Sequence, residues 1–196
     1  RITGNGAFPQ NDNPVTSSIA SVILNCSSFG GTGETNFTGH ITWISGGVSN
    51  PMFFDAGSIV DVIPGSGGGI TNTTTNNGTM NFNAGFTFST GELVNNGIIS
   101  FNTPSTIGIY AAAYGITNHG TVVKPLGSVG TFNLNLPLHN EPDGHLVIQD
   151  GELNCGGNLY NSGSVTVAAG ATLRSFHTFG NDNSTITGGG SFVIEG

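Results

Sequence analysis

Six segments of this chain repeat one pattern: an apolar residue, Asn or Gly two positions on, a Gly, then apolar residues in alternation. The clearest copies are LVNNGIISF from Leu93, ITNHGTVV from Ile116 and LYNSGSVTV from Leu159. Looser copies begin at Thr74, Leu138 and Ile186. Their anchor glycines are Gly78, Gly97, Gly120, Gly144, Gly163 and Gly190, spaced 19, 23, 24, 19 and 27 residues apart. A repeat of that length marks a solenoid, one supersecondary unit per coil. A second small-residue-plus-Gly signal, at Gly85, Gly151 and Gly170, lies 7 residues after its anchor. In the two longer units Gly108 and Gly130 are assigned to this corner. Glycine is expected at such corners because they often need positive φ, with Asn the next most tolerant residue.

The runs between corners alternate with period 2, as in Val165 and Val167 against Ser164 and Thr166. No segment carries a helical stripe. The pattern predicts an all-β chain, a right-handed parallel β-helix (β-solenoid) with coils of about 19–27 residues. Irregular coil length favours the right-handed form over one with a strict hexapeptide rhythm. Stacking must bury what one coil cannot. The expected core is an aliphatic ladder two positions past each anchor, including Ile98, Val122, Leu146 and Val165.

Composition agrees. Charged residues are 7% of the chain, against a usual ~25%. Stacked coils place equivalent side chains ~4.8 Å apart, so like charges repel while Asn, Thr and aliphatic residues form ladders. Disorder, the rival for a chain with 33 glycines, conflicts with 36% hydrophobic residues in regular alternation. The net charge is −8, and only Arg1, Lys124 and Arg174 are basic. This argues against nucleic-acid binding and against attraction to anionic lipid. No apolar run of ~18 residues points to membrane insertion.

Residues 1–38 lack the rhythm and read as a cap or arm, with the solenoid over 39–196. The Gly-rich segment Pro64 to Ile70 reads as a flexible corner and not a phosphate loop. Cys26 and Cys155 form an even pair. A disulfide between them, fitting secretion, and two buried free thiols are both open. The last strand, Ser191, Phe192, Val193 and Ile194, has no helix or Pro-rich cap after it. Solenoids cap their ends for solubility, so this strand is the expected assembly interface, or else the point where a longer solenoid was cut.

Residues that could carry chemistry are sparse. Asp150 and Glu152 are close enough in sequence to share a strand face as an acid pair. With Asp143 they are also the best candidates for calcium. The histidines show no HExxH or HxH spacing, and no GxSxG elbow occurs. Thr73 to Thr75, Thr117, Thr121, Thr166, Thr185 and Thr187 are not expected at one coil position, which argues against a water-ordering threonine face. No catalytic residues, metal ligands or cofactor-binding residues are assigned.

LYNSGSVTVAAGATL followed by STITGGGSFVIEG resembles the passenger repeats of bacterial secreted surface proteins, autotransporters and filamentous adhesins. The resemblance covers Thr74 to Ile194. It implies a pectin-lyase-like β-helix on or outside the cell. The function expected is a structural or adhesive protein, a filament subunit and not an enzyme. Its partners would be further copies stacked head to tail, and surface glycans or other cell-surface proteins. The rival is a polysaccharide-active enzyme or carbohydrate-binding module, which needs carboxylates and aromatics clustered on one outer face.

Overall fold

The computed structural model describes residues 15–16, 21–30, 33–64, 68–88, 90–109 and 115–195. Among the described residues there are 25 strands and no helix. All strand pairs are parallel, each strand lying against its equivalent one turn away, for about eight turns of a β-solenoid. One turn shows the plan. Thr74–Asn76 lies on face one, Thr79–Phe82 on face two and Phe86–Phe88 on face three, before the chain returns to face one at Glu92–Asn95. Face one is a sheet of nine strands. Faces two and three are joined into one sheet because the long strand His40–Val48 spans both. Its first half pairs with Ile59–Val62 and its second with Gly68–Ile70.

Alternation decides what is buried. On face two Val122, Leu146 and Val165 point inward with at most 1% exposure. Ile98 does not belong to that ladder: it is 43% exposed, and Ile99 takes the buried place opposite Val122. Ile99 stands two positions past Gly97, as Val122 does past Gly120, and Ile98 lies one residue short of that inward position. In a strand a shift of one residue exchanges core for solvent. The interior also holds aromatic stacks. Phe101 and Phe132 lie with ring centroids 4.2 Å apart, and Trp43 meets Phe86 edge-on at 4.9 Å.

Four further expectations change. Stacking begins before residue 39: Val15–Thr16 pairs with Thr35–Phe37, and Ser21–Phe29 pairs with His40–Val48. Part of the expected arm is therefore solenoid. Gly68–Ile70 is a strand and not a corner, while 65–67 lie outside the described residues. Gly108 sits inside Ser105–Ile109, opposite Thr87. Gly190 lies between faces two and three, whereas the other anchors lie between faces one and two. The final spacing of 27 counted across different corners. At the matching corner of the last turn stands Asn183, at φ 50.

The anchor glycines are needed for closeness and not for positive φ. None of the six has a left-handed φ. A Cβ on Gly97 would fall 2.1 Å from the carbonyl oxygen of Gly78, and one on Gly120 2.1 Å from that of Gly97. Successive corners stack so tightly that only hydrogen fits. Positive φ belongs to the next corner, at Gly130, Gly151 and Gly170 (84°, 61° and 86°).

Candidate functional site

The Asn two places before the anchor turns inward. Asn76, Asn95, Asn118, Asn140 and Asn161 are all at most 2% exposed. Each Nδ2 donates to the Oδ1 of the next, at 2.7 Å in every step from Asn76 to Asn161, and Asn161 donates to Asn181 at 2.9 Å. The second N–H of the amide reaches a corner carbonyl of the next turn, as Asn95 to Thr121 at 3.2 Å and Asn140 to Ser164 at 3.1 Å. At Asn76, Asn95 and Asn140 the backbone carbonyl accepts both N–H groups of the next corner, whereas Asn118 O accepts Glu141 N alone and Asn161 O accepts Asp182 N alone. Asn76 O receives Asn96 N at 2.8 Å and Gly97 N at 3.0 Å. The Asn-x-Gly triplet is thus one device. The amide satisfies buried corner groups, and the glycine lets the next corner approach.

The acidic residues singled out from sequence do not converge. Asp143 lies at the corner between faces one and two, Asp150 at the corner between faces two and three, with strand His145–Ile148 between them. Asp150 is occupied as a loop fastener, accepting from Gly127 N at 3.0 Å and Gly151 N at 2.7 Å. Glu152 stands on face three and accepts from Arg174 Nε at 2.8 Å. Arg174 also bonds Glu195. Asp150 and Glu152 are thus each committed to separate structural partners. Asp143 bonds His119 Nδ1 at 3.0 Å, which holds its carboxyl below the usual carboxylate range. His145 Nδ1 meets Ser164 Oγ at 2.6 Å. Among the described residues no three His, Cys, Asp or Glu side chains are placed to hold a metal ion.

Cys155 is a free, buried thiol. The disulfide to Cys26 does not form, for geometric reasons. Cys26 is on Ser21–Phe29, and six steps of pairing separate that strand from Glu152–Cys155. At ~4.8 Å per step they lie nearly 30 Å apart, where a disulfide needs Cα atoms within ~7 Å. Burial pushes the Cys155 thiol up to about 12, so it is also chemically quiet.

Sequence reasoning missed Lys124. It is fully buried, in the inward column between Phe101 and Ile148. Its stem fills the core, and its ammonium turns into the enlarged corner, donating to Ser128 O and, at 2.9 Å, to Ser128 Oγ. Ser128 Oγ in turn donates to Phe101 O at 2.8 Å. Burial holds the ammonium below the usual lysine range, with nearby Asp150 opposing. Strand parity with Val122 was the available signal.

The outer faces carry the remaining side chains. Thr121, Thr166, Thr185 and Thr187 do share the outward side of face two. Their columns also hold Ile98 and His145, so no continuous threonine ladder forms. Thr117 is on face one. On face three, an open trough of about 240 Å³ is lined by Gly130, Thr131, Gly151, Glu152, Gly170 and Thr172. At the last turn Ser191, Phe192, Val193 and Ile194 pair with Thr172, Leu173, Arg174 and Ser175.

Among the described residues no helix is long and apolar enough to cross a membrane. No known protein family, curated protein or solved structure matches the chain. The resemblance to secreted surface repeats therefore stands at the level of architecture, a parallel β-helix repeat protein.

Proposed function

We propose that this chain is an extracellular structural or adhesive β-solenoid, of the kind its repeats resemble, and that it stacks end to end with further copies. The observation that carries this is that every turn is completed by its neighbours: strands pair in parallel register from turn to turn, and the amides of the ladder donate one to the next from Asn76 to Asn181. A further copy in the same register would be joined by the same strand edges and amide bonds. Low charge leaves little repulsion to oppose it. The contact would be heterologous and would propagate.

The reading includes no hydrolase or lyase activity. What supports this is the dispersal of Asp143, Asp150 and Glu152 and the use of the latter two as structural acceptors. The test compares the intact chain with a Phe192→Lys, Ile194→Lys double variant by light scattering and electron microscopy. Intact protein should form species that lengthen with concentration, and the variant should stay monomeric. An intact chain that stays monomeric at high concentration ends the assembly reading.

A further inference from the structure

Corners between faces two and three leave a trough along the solenoid where successive turns present Gly130, Gly151 and Gly170. All three glycines have positive φ, and a Cβ on Gly130 or Gly151 would also meet Pro104 Cγ at 2.8 Å or Gly130 O at 2.5 Å. At Gly170 an added Cβ would meet nothing within 4 Å. The wall is a column of hydrogen-bonding groups in register: Thr131 opposite Glu152, and Glu152 opposite Thr172. Among the described residues the Thr131 and Thr172 hydroxyls have no protein partner. Glu152 commits Oε1 to Arg174 and keeps Oε2 free. Two residues past Arg174, the half-open ring of Phe176 lies 5.9 Å from the guanidinium carbon.

We infer that this trough binds a neutral, hydroxyl-rich glycan laid along the solenoid axis. Coils repeat every ~4.8 Å, close to the length one sugar ring adds to an extended chain. Hydroxyl, carboxylate and hydroxyl therefore meet successive rings. Threonine hydroxyls and a carboxylate oxygen suit sugar hydroxyls, which both donate and accept. The charge selects against acidic chains. Glu152 and Glu195 together outweigh the Arg174 between them, and the whole chain carries −8. A lone carboxylate already paired with arginine is a poor cation site. Phe176 supplies an apolar surface for the C–H face of a ring.

The inference rests on the adhesive part of the reading above and not on assembly. Binding is read on dilute monomer, so its failure and that of end-to-end stacking are separate results. The intact chain is run in affinity gels and titrated calorimetrically against soluble xyloglucan, glucomannan, arabinoxylan and laminarin, with polygalacturonate and dextran sulfate as anionic probes. At least one neutral glycan should bind, little affected by salt. Gly170→Asn, which fills the trough with a residue tolerant of positive φ, and Thr172→Val, which removes one hydroxyl at constant shape, should each weaken it at least tenfold. Thr166→Val on face two should leave it unchanged, and circular dichroism confirms that each variant is folded. Failure of all four neutral glycans to bind overturns the proposal. So does stronger binding of the polyanions, or an unchanged affinity in folded Gly170→Asn or Thr172→Val.

Discussion

One inward column on face one is built in two ways. Its first turns hold Phe37 and Phe54, with ring centroids 5.6 Å apart. From Asn76 onward the same column is a chain of amides. Rings need only contact, so each turn there stands on its own. Amides need a donor and an acceptor on each side, so every turn depends on its neighbours. The junction shows the cost. Phe54 has nothing to donate to Asn76, whose buried Oδ1 has no partner. Both parts of the column use corners of two lengths. The Phe54 turn leaves face one through the four residues Asp55 to Ser58, with Gly57 at φ 88 and open space around it, and the Asn140 turn through the four residues Glu141 to Gly144. The Phe37, Asn76, Asn95, Asn118 and Asn161 turns use two-residue corners, and at Asn96-Gly97 there is no space for a Cβ.

The largest expected effect separates the two column types directly. Asn118→Leu strands the acceptor of Asn140 and removes the donors to Gly120 O and His145 O. It should cost about 3–5 kcal/mol, since each orphaned buried group costs roughly 1–3. Asn76→Leu, at the ladder's end, should cost about half as much, and Phe54→Leu only about 1–2 kcal/mol. Urea unfolding of the three variants checks the order. Equal losses at Asn118 and Phe54 would mean that the ladder is no more cooperative than an aromatic stack.

The corners give a second contrast. Gly97→Ala pushes a methyl into the Gly78 carbonyl and should cost about 3 kcal/mol, at the upper end of overpacking penalties. Gly57→Ala meets nothing and should cost only the left-handed backbone penalty, about 1–2 kcal/mol. Thermal melts of both should keep that order.

The smallest effect concerns Lys124, the polar intruder in an otherwise apolar column on face two. Its pKa is lower folded than unfolded, so the unfolded chain binds more protons between the two values. Stability should therefore rise with pH from the lowered folded pKa up to about 10.5, and level off below that window. Lys124→Met should remove this slope. At neutral pH it should shift stability by less than about 1 kcal/mol, because relief from burying a charge offsets the lost bonds to Ser128. Denaturant midpoints across the alkaline range measure it.

Much of this was legible in the residues. Asn-x-Gly at Asn95 and Gly97, and again at Asn118 and Gly120, set the coil length, and alternation after each glycine set the inner face. The parity of Val122, Leu146 and Val165 followed from period 2 alone. The corner assignments of Gly108 and Gly190 were beyond it, because one extra residue in a turn shifts every later corner. Which strand faces which is then fixed by backbone pairing between turns.

The sequence by itself determined that the chain stacks, since its apolar residues recur at a period no isolated unit can bury. Only the tertiary structure decided why its glycines and asparagines are what they are. The blocked Cβ of Gly97 arises from the turn before it, and the donor of Asn95 finds its acceptor 23 residues away. Likewise Lys124 fits the core because the six-residue corner beyond it holds Ser128 within reach. These are relations between turns, and a linear sequence does not contain the distance from one turn to the next.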